Sequence, residues 1–245
     1  MYKRKDFPFR ADHVGSLLRP SSLLALRKRF ANNEVSAAEL RSAEDAAIRE
    51  VVALQEAIGL KGVTDGEFRR HTFHTDFIGK LQGVEFKQIF APGEEGSKNS
   101  QAPFVAFVKD KMALPEGGIE VDNFRFLKSV AKQVAKATIP SPTMMHFRGG
   151  RESISEQAYP ELDSFYEDLA NIFRQQINLL GEAGCQFLQL DDTNLAYLCD
   201  SKMREGLQAR GDDPDQLVLD YTSLINNSLD ARPEDMAACI HLCRG

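Results

Sequence analysis

The chain has no tryptophan and only four cysteines in 245 residues (Cys185, Cys199, Cys239 and Cys243). So few cysteines exclude a disulfide scaffold and point to a reducing, cytoplasmic compartment. No apolar run approaches the roughly 20 residues of a membrane helix. There is no excess of positive charge: 30 Lys and Arg stand against 36 Asp and Glu, a net charge of −6. That balance argues against nucleic-acid binding, which needs a basic surface. The first ten residues are basic but carry no apolar segment before Asp12, so no secretory signal is expected. The chain also has neither P-loop nor dinucleotide-binding spacing, and no G-x-S-x-G elbow for a serine hydrolase.

What is present is a globular composition, with 42% hydrophobic residues, and a repeating order of strands and helices. Ser36 and Glu39 form a capping box, the start of a helix with Leu40, Ala47, Val51, Leu54 and Ile58 on one face. Gly59 ends it, and a short strand follows in LKGVTDGE. Residues 84–90 and 104–112 read as strands flanking the Gly-rich loop 91–101, so 74–120 is expected as a hairpin insertion. A helix is expected over 122–136, with Phe126, Val130 and Val134 on its core side. A strand end follows at 137–143. Further helices are expected from Pro160 to about Ala183 and from Asp213-Pro214 onward, with strands at 185–192 and from 237.

This is the pattern of βα units and a parallel sheet. Five units start near 11, 60, 137, 185 and 237. Polar residues gather at each strand's C-terminal end, where a (β/α)₈ barrel places its active site. The expected architecture is one domain over 1–245, either an open parallel sheet or a TIM barrel with about five of its eight units.

Several of these residues suit chemistry. His241 and Cys243, two apart on a strand, face the same side and are both zinc-type donors; a buried Cys beside a satisfied His gives the same spacing. Asp191-Asp192 could hold an ammonium group, or simply cap a helix. Glu67 sits at a similar strand end. Arg69 and Arg70 beside it could be its counter-charges or hold an anion. His13 and His74 could move protons near neutral pH, or be structural. Val14-Gly15-Ser16 offers close backbone approach and a hydroxyl.

In order, DHVGSLLRP, GLKGVTDGEFRR, FLQLDDTNLAYLCD and HLCRG resemble the catalytic barrel of the cobalamin-independent methionine synthase family, and its short single-barrel bacterial relatives. The likeness runs from Asp12 to Gly245. It implies a zinc-dependent transfer of a methyl group from a methylated folate to the thiol of homocysteine. Val14, Gly15, Ser16, Glu67, Asp191 and Asp192 then match substrate-binding positions, with Asp192 in place of a glutamate. His241 and Cys243 match two zinc ligands. Ser141-Pro142-Thr143 replaces the family's Gly-Pro segment. The family's other zinc ligands and its proton-donating histidine come from later strands, which leaves a truncated chain, self-association or a partner chain completing the barrel as the readings. Related barrels alkylate thiols from corrinoids or other small donors, and a non-catalytic fragment is the remaining alternative.

Overall fold

The computed structural model describes residues 9, 11–88 and 104–243. The loop expected at 91–101 and the end of the HLCRG segment lie outside the described residues. The chain runs α1 (Ser21–Ala31), α2 (Ala37–Ala57), β1 (Gly62–Val63), α3 (Thr75–Ile78), β2 (Gln82–Gln88), β3 (Phe104–Ala113), α4 (Val121–Val130) and β4 (Val134–Pro140). Then come α5 (Leu162–Glu182), β5 (Phe187–Asp192), α6 (Asn194–Tyr197), α7 (Ser201–Ala209), α8 (Pro214–Leu229) and β6 (Ala237–Leu242). Strands β1, β4, β5 and β6 lie side by side in that order, all parallel. Strands β2 and β3 form a separate antiparallel pair.

Register divides the parallel sheet into two chemically distinct faces. Lys136 pairs with Phe187, Thr138 with Gln189, Pro140 with Asp191, and Asp191 in turn with His241. Because side chains alternate along a strand, these residues share one polar face with Cys239. The opposite face carries Val63, Ala135, Ala137, Ile139, Leu188 and Leu190, all buried in the main core with residues of α2, α4, α5 and α8. At β6 that apolar face is thinner: Ile240 and Leu242 are exposed.

Helix signals in the sequence are realised where side chains satisfy backbone groups. The Ser36–Glu39 capping box forms at α2, with both reciprocal bonds made. Asp213 caps α8 and Pro214 takes its first turn, burying Leu217, Tyr221, Leu224 and Ser228. Other expectations shift. The α2 stripe rotates to Ala47, Ile48, Val51, Val52 and Gln55, leaving Leu54 and Ile58 exposed. Helix α4 ends at Val130 and buries Val121, Phe124 and Leu127. Phe126 instead lies beneath the guanidiniums of Arg49 and Arg69, at 5.0 and 4.6 Å. Strand β4 starts at Val134, three residues earlier than expected, and α5 starts at Leu162, after Pro160.

The unit expected near residue 11 contains no strand within its described residues. Its backbone groups are claimed singly by neighbours. Lys136 Nζ donates to His13 O at 2.7 Å, Gln189 Nε2 to Val14 O at 2.6 Å, and Thr64 Oγ1 to Gly15 O at 2.7 Å. The Leu17 amide donates to Gly66 O at 3.1 Å. Gly15, at φ +129°, turns the chain between these contacts.

Candidate active site

The polar face of the sheet sits under the pinned segment Asp12–Pro20. Lys136 is almost wholly buried, and an isolated ammonium there would be costly. It is matched by Asp12, whose Oδ2 accepts from Nζ at 2.8 Å. The ring of Phe187 lies 5.1 Å from the same nitrogen. One buried cation thus ties the segment to β4.

Glu67 enters from the turn that follows β1. Gly66 and Glu67 both take left-handed φ, +66° and +57°, and for a glutamate this is unfavourable without support. The support is dense. Asp65 Oδ1 accepts from the Glu67 amide at 2.8 Å, and the Glu67 carboxylate accepts from Thr138 Oγ1 at 3.0 Å. Arg70, also buried, lies 3.4 Å from that carboxylate and 3.6 Å from Glu120. Arg69 is paired with Asp45 and Glu44. Both arginines are therefore internal counter-charges. A Cβ on Gly15 would sit 2.8 Å from Thr138 Cγ2 and 3.4 Å from Glu67 Oε1, so the backbone at Gly15 lies directly on this pair.

Asp191 and Asp192 end β5 on opposite faces. Asp192 is fully buried, and both of its oxygens are used inside the protein. Thr143 Oγ1 donates to Oδ2 at 2.6 Å and the Leu195 amide to Oδ1 at 2.8 Å. Asp191 lies on the polar face. Its carboxylate accepts from Gln189 Nε2 at 2.6 Å and forms no ion pair among the described residues. Burial pushes its pKa up to about 7, and the charge of Glu67 adds to this.

His241 is the register partner of Asp191, and Cys243 follows it two residues on. Both are half-buried, and the Cys243 amide donates to Asp192 O at 3.3 Å. One nitrogen donor on β6 and one sulfur donor just past its end are residue types that fit two positions of a zinc centre. Among the described residues, no group of three or more His, Cys, Asp and Glu side chains is placed to hold a metal ion. Cys239 lies on the same face, and burial pushes its thiol up to about 11.

The two histidines considered for proton transfer have different side-chain partners. His13 makes a 2.8 Å bond between Nε2 and Gln55 Oε1. His74 lies against Phe73, the ring centroids 4.6 Å apart and the planes tilted by 50°, and burial, reinforced by the charge of Arg148, pushes its pKa down to about 4. Ser16 is exposed beside Gly15. The structure thus gathers Val14, Gly15, Glu67 and Asp191 into a cluster in two parts: Gln189 joins Val14 to Asp191, and the Glu67–Thr138 pair lies against Gly15, with His241 the register partner of Asp191.

Sequence reading passed over Lys136, Thr138 and Gln189, which hold the cluster together. The available signal was alternation: K-A-T in β4 and Q-L-D in β5 place polar residues two apart within apolar strands.

A parallel sheet with helices on its apolar face and polar groups at its strand ends defines an α/β fold built from the units of a βα barrel. Residues 9–243 match the cobalamin-independent synthase catalytic domain, and the chain belongs to that family. Its similar relatives include the uncharacterized proteins YxjH and YxjG of Bacillus subtilis, each 36% identical over 99% of this chain. The chain spans 63% and 64% of their lengths. A 5-methyltetrahydropteroyltriglutamate–homocysteine methyltransferase of Thermosynechococcus vestitus is 27% identical over 84% of this chain and 25% of its own. Among solved structures, a candidate vitamin-B12 independent methionine synthase of Listeria monocytogenes superposes with TM-score 0.79 at 36% identity. That match covers 97% of this chain and 66% of that one. A B12-independent methionine synthase of Shewanella, solved with selenomethionine, shares the fold at TM-score 0.61 and 19% identity, over 86% of this chain and 55% of that one.

Proposed function

We propose that this chain binds homocysteine as a methyl acceptor, in a methyl transfer from a methylated folate that yields methionine. The observation that carries the reading is Asp191: a buried carboxylate without an ion-pair partner among the described residues, oriented by Gln189, next to a zinc-type donor pair. An ammonium group supplies the charge that this carboxylate lacks. Glu67, on the same side of Gly15, adds a second carboxylate toward the amino group. The exposed residues Val14 and Ser16 face the rest of the amino acid. Asp192 holds the loop beneath. His241 and Cys243 would hold a zinc ion as two of its ligands, and such an ion would favour the thiolate form of the acceptor thiol at neutral pH.

The family membership supports the methyl-transfer class, and the methyltransferases among the relatives support the folate donor. One observation favours a second reading, in which the donor differs. Ser141, Pro142 and Thr143 are all buried, and Thr143 is committed to Asp192 and Asn194. This segment therefore offers no free side chain to a pterin.

Supplying homocysteine with 5-methyltetrahydropteroyltriglutamate, a methyl-corrinoid or a small S-methyl donor, and measuring methionine, separates the readings. Methionine from the folate supports the first. Methionine from another donor alone supports the second. No methionine from any of them, with no homocysteine binding, refutes both.

A further inference from the structure

Every residue of the Glu67 turn whose carbonyl faces the 17–27 segment is held from that segment. The Leu17 amide takes Gly66 O. Arg19 Nη2 donates to Glu67 O at 2.7 Å and to Arg70 O at 2.8 Å. Arg27 donates from Nη1 to Arg70 O at 2.8 Å and from Nη2 to Phe68 O, and is itself braced by Glu44 at 3.0 Å. Two guanidiniums thus close over a turn that contains two successive left-handed residues.

The chemistry is that of an external clamp. A non-glycine residue in the left-handed region persists only where its surroundings over-determine it. Here the Glu67 side chain is fixed by Thr138 of β4 and by Arg70 of the same turn, and its carbonyl by Arg19. Arg19 also lies three residues beyond Ser16 on the segment that carries Val14 and Gly15. One guanidinium therefore links the two backbone stretches on which the proposed acceptor site is built. A planar fork with several N–H groups can serve two carbonyls at once; a lysine ammonium has no such fixed fork.

We infer that Arg19 is a positioning residue: by holding the carbonyls of Glu67 and Arg70 it keeps the Glu67 carboxylate in register with Gly15 and so sets affinity for the amino group of the acceptor. The inference rests on the proposed function for its ligand, and on the turn geometry alone for its mechanism. Arg19 touches no substrate in this scheme, and its effect passes through Glu67.

The test is a double-mutant cycle on the full chain, with Arg19→Met, Glu67→Gln and both together, read by calorimetry with homocysteine. Loss of charge-assisted bonds predicts that Arg19→Met weakens binding about tenfold. In the Glu67→Gln background the same change should have little further effect. Arg19→Lys should recover part of the affinity. Equal losses in both backgrounds would overturn the inference, since Arg19 would then not act through Glu67. Hydrogen exchange of the amides at 66–70 provides a ligand-free reading. It should accelerate in Arg19→Met while the amides of β4 and β5 stay protected. Unchanged exchange in the turn would also overturn the inference, whether or not homocysteine binds; absence of binding to the wild-type chain would refute the function instead.

Discussion

Gln189 Nε2 donates to Asp191 Oδ1 at 2.6 Å, one side chain along the same face of β5. The same nitrogen donates to Val14 O at 2.6 Å. One amide group thus orients the carboxylate and holds the segment that covers it. Replacing Gln189 with Leu removes both bonds and leaves the Val14 carbonyl short of a partner. Homocysteine affinity should fall roughly tenfold, and stability by about 1–2 kcal/mol. Paired calorimetry and denaturant titration check this; wild-type affinity in a folded variant would show that Gln189 does not orient the site.

Asp191 also predicts a pH dependence. Its folded pKa is pushed up to about 7, so it is mostly protonated at pH 6. An ammonium ligand needs the carboxylate ionised. Homocysteine binding should therefore release close to one proton more at pH 6 than at pH 8. Calorimetry in buffers of different ionisation enthalpy measures this directly, and the pH-dependent release should vanish in Asp191→Asn.

Gly15→Ala tests the closeness of the backbone to Glu67. The new Cβ would meet Thr138 Cγ2 at 2.8 Å, from a backbone at φ +129° that alanine rarely adopts. The variant should lose about 1–3 kcal/mol of stability and most of its acceptor affinity. Thermal unfolding and calorimetry read the two effects separately.

His146 sets an acid limit on stability. Burial pushes its pKa down to about 4, with Nδ1 bonded to Tyr221 at 2.9 Å and Nε2 without a partner among the described residues. Its folded pKa lies below the unfolded value of about 6.5, so the unfolded chain takes up the proton first. The stability tied to the neutral ring is present above about pH 6.5 and is lost as pH falls toward 4. His146→Gln should flatten the stability profile between these values. An unchanged slope would assign the acid loss elsewhere.

Much of this arrangement was legible in the sequence wherever a local rule decides the structure. Ser36–Glu39 and Asp213-Pro214 specify helix starts through bonds to nearby amides, and the structure realises both. The polar strand ends at Glu67 and Asp191 were visible for the same reason. Helix α7 was not read because only Leu207 in it is buried, which leaves no apolar stripe to detect. The segment at His13–Ser16 reads as a strand from its apolar content, yet the carbonyls of His13, Val14 and Gly15 go to Lys136, Gln189 and Thr64, more than forty residues away. Such partners are fixed only by the sheet register. For the same reason Lys136 looks like a surface lysine in the sequence and proves to be a buried anchor.

The central claim is that Asp191 receives the ammonium group of an amino-acid acceptor. Calorimetric titration of homocysteine into the wild-type chain and into Asp191→Asn at pH 8 tests it most directly. Truncating one partner of a buried charge pair costs on the order of 2–5 kcal/mol. Saturable binding that weakens at least thirtyfold or so in the variant is the predicted result. Equal affinity in two folded proteins would contradict the claim and move the acceptor site away from the end of β5.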